Sequence, residues 1–402
     1  MYSAQIPNQS FPADHLVGAL RKELGSHTID ADDYFVDYLF PEDRSPLRIL
    51  DDKIIEELSK PHNGEQAIWD ADNRRFRDMP ALKEKEMADW LNQITTILGE
   101  ISKCEPLRLW SDRSCDTPPI GSPIKRKPGL ILLDKKYYNE LQDPNKQTDW
   151  AFIRSFAEVT RSPEASKQMT DTINAKSYLL FLCQHDRRFT LALSFTGDRS
   201  VRLTVTDREG IIRWNKSLVV GQSRQHAQLF LRILSFLSFG SPVDIGLDPN
   251  VEIDHTGKCV AITVEGKRFV VVEIIYSLDS IVGRGTRVWV VTHGTMCYTL
   301  KDSWTQHKCV DSELLMLEKM LLDDKLTGRV PTLFCGGEVK INGVVDCTGR
   351  YREDLPGWSS MSQCIHCQLV CTPIGEALTE YRSKKEFINA IKSIISSALP
   401  CS

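Results

Sequence analysis

The sequence predicts an α+β protein: a helical N-terminal region (1–110), a linker (111–129), a mixed α+β domain (130–255), and an antiparallel sheet with one helix (256–402). Three observations predict it. Helical spacing dominates one long segment before residue 104, short apolar runs closed by turn residues begin at 130, and a glycine turn followed by a strand and a helical run begins at 281.

At 402 residues the chain is long enough for two or three cores. A hydrophobic share of 41% and a charged share of 26% are ordinary for a globular protein. The net charge of −4 argues against general nucleic-acid or anionic-membrane binding, and neither partner is expected. No apolar run reaches the ~18 residues a membrane span needs. "MYSAQIPNQSFPADHL" lacks the layout of a secretory signal, so an intracellular site, cytoplasm or nucleus, is expected.

In the helical region, "PALKEKEMADWLNQITTILGEIS" (80–102) carries Leu82, Met87, Trp90, Leu91, Ile94, Ile97 and Leu98 at helical spacing, with Pro80 in the first turn. Shorter versions occur at 14–24 and 52–59. "SDRSCDTPPIGSPIKRKPG" (111–129) has turn residues and no periodicity, hence the linker; its KRK run reads as solvated charge, with a nuclear address or a phosphate contact as the alternatives. In the next domain "LILLD" (130–134), "SYLLFLCQ" (177–184), "RFTLALSFTG" (188–197) and "SVRLTVTDREG" (200–210) predict strands, and "AQLFLRILSFLSFG" (227–240) predicts a buried helix.

Twelve cysteines are scattered, many in strand-like runs (Cys183, Cys259, Cys297, Cys371), where a thiol acts as a small apolar group. Cys364-x-x-Cys367, with His366 and Cys371 nearby, has no second ligand pair, so no metal site is expected.

After 254 come strand runs that lead into "IVGRGTRVWVV". Gly283 and Gly285 would let a hairpin turn approach phosphate oxygens with its backbone N–H groups. Against the loop pattern GxGxxGxV, Val288 stands at the third glycine and Val290 at the final valine. Lys301 ends the strand "MCYTLK", and Glu313 lies within the helical run 309–325, four residues before Leu317. A strand lysine that contacts α- and β-phosphates needs such a glutamate to hold it toward the nucleotide. "VPTLFCGGEVKIN" (330–342) and "IHCQLVCTPIGEAL" (365–378) predict two more strands and a hinge.

With these residues in place, the chain resembles the fungal-type protein kinase family. "QHDRRFTLALSFTGDRSVRLTVTDREGIIRW", "FGSPVDIGLDPNVEIDHTGKCVAITVEGKRF", "IVGRGTRVWVV" and "VCTPIGEALTEYRSKKEF" carry the resemblance, which runs from about residue 105 to about 398. It implies that 256–402 is a protein-kinase-like N-lobe with an incomplete C-lobe. It implies ATP as cofactor, with Gly283, Gly285, Val290 and Lys301 around the phosphates, a hinge at Thr372–Gly375 that includes Ile374, and the Lys301–Glu313 ion pair.

The family continues with a His-Arg-Asp catalytic loop and a metal-binding Asp-Phe-Gly. Neither follows residue 378, and "HDR" at 185–187 has the wrong order and place. The expectation is therefore an inactive, pseudokinase-like or truncated kinase that holds ATP weakly or not at all and no magnesium. The alternative is an active Ser/Thr-type kinase, if the chain continues past Ser402 or a partner supplies the other lobe. The last helix, with a Ser383…Glu386 capping box and an apolar face of Phe387, Ile388, Ile391, Ile394 and Ile395, is expected to self-associate or meet a protein partner.

A third reading concerns "RKPGLILLD" and "IRSFAEVTRS", laid out like a PD-(D/E)xK nuclease core. Gly129 and Thr160 occupy an acidic and the lysine position, leaving only Glu158 and Asp134. At most a degenerate nucleic-acid-binding module is expected there.

Overall fold

Leu130, Ile131, Leu132 and Leu133 alternate between two cores: Leu130 and Leu132 face one, Ile131 and Leu133 the other. A strand apolar on both sides must be covered on both sides. It lies in a sheet with helices on each face. The computed structural model describes residues 13–398 apart from 33, 50, 63–65, 78, 81–82, 163–166, 198, 215–217, 221–222, 307–312, 327, 329, 354, 356–357, 359–362 and 376–380.

The sheet runs in the order Thr28–Ala31, Gly210–Trp214, Ser200–Asp207, Thr190–Phe195, Ile153–Val159, Leu130–Asp134, Arg108–Ser111, and Leu218–Val219 also pairs with Ser200–Asp207. Pairing is antiparallel except at Thr28–Ala31 with Gly210–Trp214 and at Ile153–Val159 with Thr190–Phe195. On one face lie the helices Tyr34–Leu39, Asp51–Leu58, Glu84–Ser102 and Arg224–Phe239; on the other, Ala13–Leu24 and Lys167–Cys183.

This arrangement corrects the division at residue 110. The N-terminal segment supplies an edge strand of the sheet, and its helices pack on Arg224–Phe239, where the Trp90 and Phe230 rings stack at 5.8 Å. The Arg232 guanidinium is buried and donates to Asp51 at 2.8 Å and also to Asp37. The predicted linker is packed too, with Ile124 in the second core and Ile120 bridged to Asp149. Proline and glycine punctuate a chain without saying whether it runs through solvent or over a core.

Two further expectations are corrected. Ser177–Gln184 is not a strand; all but Gln184 belong to the helix Lys167–Cys183, in which Leu179, Leu180 and Phe181 are buried. A short run apolar on every side fits either element, and only packing decides. The long N-terminal helix starts at Glu84 rather than Pro80, and Leu82 lies outside the described residues.

The second sheet is antiparallel throughout, in the order Val251–Ile253, Cys259–Val264, Lys267–Ser277, Arg287–His293, Met296–Gln306, Cys364–Thr372, Thr332–Glu338. It begins at Val251, so the predicted boundary at 255 falls a few residues late. The helix Glu313–Leu321 packs beside Thr332–Glu338. The last helix, Lys384–Ala398, is capped by Ser383 Oγ, which accepts the Glu386 N–H at 3.2 Å, while the Glu386 carboxylate accepts the Arg382 N–H at 2.7 Å. Phe387 packs on Tyr381 at 5.0 Å and Ile388 is 62% exposed; the side chains of Ile394 and Ile395 lie outside the described residues. No helix among the described residues is long and apolar enough to cross a membrane.

Asp51→Ala should destabilise the chain by roughly 3 kcal/mol, because it leaves a buried guanidinium with only the exposed Asp37 as partner. Urea denaturation measures this, and a change below about 0.5 kcal/mol, ordinary for a surface site, would mean that the Arg232–Asp51 pair does not hold the N-terminal helices to the core.

Candidate functional site

Register places the predicted residues. Lys301 pairs with Val288 and Leu369, and Thr299 with Val290 and Cys371. Alternation along a strand therefore puts Val290, Thr299, Lys301 and Leu369 on one face, while Trp289, Leu300 and Val370 point into the sheet's own core. Glu313 is the first residue of its helix, and the Lys301 ammonium donates to both of its carboxylate oxygens, at 2.6 and 2.5 Å.

A third residue joins them that the sequence did not single out. Arg284, between the two glycines, donates to Glu313 Oε2 at 2.8 Å. The Lys301 and Glu313 side chains are 25% and 41% exposed, so the pair contributes little stability, ~0–1 kcal/mol. Its consequence is positional: the ammonium is held on the sheet face instead of swinging into solvent.

The glycine loop is bound down on its inner side. Gly283 and Gly285 have φ of +98° and +47°, a region that favours glycine. The Gly283 N–H donates to Arg208 O at 2.8 Å, and the Ile281 and Val282 N–H groups donate to Glu23 Oε1 at 2.7 and 2.8 Å. A side chain at Gly285 would meet the Arg208 guanidinium, since a Cβ there would lie 2.5 Å from its Cζ. Thr372 ends the strand Cys364–Thr372, paired with Thr332, and Ile374 follows half-buried.

The face opposite Lys301 is fixed to the first sheet by buried charge. His366 lies between two carboxylates, Asp302 at 2.7 Å and Asp346 at 3.0 Å, with the Trp304 ring stacked on it at 4.7 Å. Arg188 donates to Asp346 Oδ1 at 2.6 Å, and Arg352 to Asp207 at 2.6 and 3.1 Å. Arg287 donates to the carbonyls of His185, at 3.0 Å, and of Phe181. The "HDRR" stretch thus belongs to a joint. Burial and then Arg287 push His185 down to about 3, so it is neutral.

Burial opposes charge on His366 as well, but Asp302 and then the hydrogen bond to Asp346 outweigh it and push the imidazole up to about 10. The same contacts, with Arg188 at Asp346, hold Asp302 and Asp346 below the usual carboxylate range against the burial that opposes them. Burial pushes the neighbouring thiols of Cys364 and Cys367 up, to about 12 and about 11, away from the thiolate a metal needs. Among the described residues no group of three or more His, Cys, Asp or Glu is placed to hold a metal ion.

The nuclease-like pair does not assemble. Glu158 is buried in an ion pair with Lys176, and Asp134 takes Arg154 at 2.7 Å. Because Leu130 pairs with Ala157 and Leu133 with Ile153, the two acids sit at opposite ends of the strand pair, on the order of 15 Å apart. They cannot share one metal.

An α+β chain in which a strand lysine is tied to a helix glutamate beside a glycine turn has the outline of a protein of the kinase class. The family model described as fungal protein kinase matches residues 127–398, about two thirds of the chain, and the chain belongs to that family. Comparison with curated proteins and with solved structures returned no match. The match starts later than the resemblance noted from about 105.

A histidine with its pKa raised from 6.5 contributes stability that is complete below 6.5 and lost as the pH rises through about 10. Stability should therefore fall between pH 6.5 and 8.5 with a slope approaching ~1.4 kcal/mol per pH unit from this group. Urea midpoints across that window should show the slope, and His366→Gln should flatten it; an equal slope in the variant would show that His366 is not charged in the fold.

Proposed function

We propose that residues 251–402 form the nucleotide-facing half of a protein kinase. The observation that carries this is the Lys301–Glu313 contact at 2.6 and 2.5 Å, on the sheet face shared with Val290. In this reading Lys301 meets the α- and β-phosphates of ATP, Glu313 keeps the ammonium in place, and Val290 lies against the nucleotide with Thr372 and Ile374 at its rim. Bound ATP would supply the transferable phosphoryl group.

The residues present supply binding and orientation only. Phosphoryl transfer depends on magnesium placement and on a carboxylate that orients the acceptor hydroxyl, and the 402 residues hold neither a His-Arg-Asp nor an Asp-Phe-Gly pattern. These residues by themselves are therefore read as pseudokinase-like, with activity only where a catalytic half joins them, in the same polypeptide or from a partner. The spread positions of Asp134 and Glu158 disfavour the nucleic-acid alternative.

The chain alone should transfer no radiolabel from γ-labelled ATP to itself or to a generic substrate. Its ATP affinity should be no tighter than roughly millimolar, because one open sheet face buries much less of a ligand than the ~70–90% of a closed pocket. Transfer that Lys301→Ala abolishes would overturn the first expectation, and calorimetric binding at micromolar concentration the second. Self-association is the proposed fate of the last helix, where an apolar residue such as Ile388 gains ~1.5–3 kcal/mol on burial. Ile388→Glu with Ile391→Glu should convert an associating chain to a monomer in light scattering; a clean monomer before substitution would refute this.

A further inference from the structure

Two adjoining cavities, of about 680 and 500 Å³, open between the helix Tyr34–Leu39 and the segment that follows the turn Thr348–Tyr351. Asp37, Tyr38 and Glu353 line both, so the two form one cleft. Neither Lys301, Glu313 nor the glycine loop lines it. Its helix wall also lies before residue 127, where the family match begins.

The two ends differ in chemistry. At the larger end Phe189, Phe236 and Trp358 supply apolar wall, and the charges of Asp43 and Asp244 are balanced by Arg44 and Arg350. Trp358 is held there by its Nε1–H, which donates to Glu209 at 2.9 Å. The smaller end is lined by Asp32, Asp37 and Glu353 with no lysine or arginine. Arg232 donates to Asp37, but it is shared with Asp51, so negative charge is left in excess. Tyr34 and Tyr38, four residues apart, stand on one helix face and are 79% and 44% exposed. Asp32 Oδ1 accepts the Tyr34 N–H at 3.2 Å, which keeps that carboxylate beside the first ring.

Exposed rings flanked by carboxylates suit a guanidinium. Its flat face stacks on an aromatic ring while its N–H fork donates to carboxylate oxygens, whereas a compact ammonium has no flat face to stack. The cleft as a whole is longer than one such group, since its two cavities together exceed the ~300–1,000 Å³ that a small ligand occupies. We propose that it binds an extended, arginine-bearing segment of a partner protein. The guanidinium sits against Tyr34 and Tyr38 with Asp32 and Glu353 as acceptors, and neighbouring apolar side chains reach toward Phe236 and Trp358. This site is independent of the nucleotide reading of Lys301.

The test applies the full chain to arrays of heptapeptides whose central residue is arginine, lysine or citrulline and whose flanking residues vary. The tightest peptide of each kind is then titrated by fluorescence polarisation, with arginine amide and spermidine as free small cations. Arginine peptides should bind about fivefold tighter than lysine peptides, and at least tenfold tighter than citrulline peptides, which keep the shape and lose the charge. Glu353→Gln should weaken the arginine peptide about tenfold and Tyr34→Ala about fivefold, with urea midpoints unchanged because both side chains are exposed. Equal binding of arginine and citrulline peptides, affinities unmoved by both variants, or no peptide tighter than roughly millimolar would each overturn the proposal. Arginine amide or spermidine binding as tightly as the best peptide would also overturn it, and would assign the cleft to a small cation.

Discussion

Everything about the candidate site depends on charge buried between two sheets. Arg188, Arg208, Arg287 and Arg352 are nearly or fully buried where the second sheet meets the first. A buried guanidinium without partners costs several kcal/mol, so each fixes the groups around it. Arg188 requires Asp346, and Asp346 bonds His366. His366 in turn requires Asp302, the residue after Lys301. The joint thereby sets which face of the second sheet turns inward, and strand alternation does the rest: with Asp302 inward, Lys301 must point outward.

The outward face is unevenly finished. Lys301, Glu313 and Arg284 form a compact charged group near the end of the sheet that carries the glycine loop. By register Val270 and Tyr276 share the Lys301 face, and they are 44% and 49% exposed. Nearby, Leu315 and Met316 of the glutamate helix are exposed as well.

The loop beside that face is constrained by the domain before it, and this couples the two halves of the molecule. Arg208 extends from the end of one strand of the first sheet, and Glu23 from a helix that packs on it. Both are committed to the loop through main-chain hydrogen bonds. A change that moves the helix Ala13–Leu24 must alter the loop, because Ile281 shares its core.

The sequence by itself determined what depends on local spacing. The helices Glu84–Ser102 and Arg224–Phe239 show in their apolar periodicity, and Lys301 and Glu313 show in the order of glycine turn, strand and helix. It could not determine what depends on the far side of a residue. Ser177–Cys183 is helical because a layer covers it all round, and the first 110 residues join the central sheet because Arg232 and Trp90 meet their partners there. Glu23 and Arg208 carry no pattern that singles them out, and His366 stood out only beside a zinc-like cysteine spacing; each acquires its role from a residue more than 60 positions away. Burial gives such charges their meaning, since it decides whether a side chain is solvated or must find a partner, and only the tertiary structure decides burial.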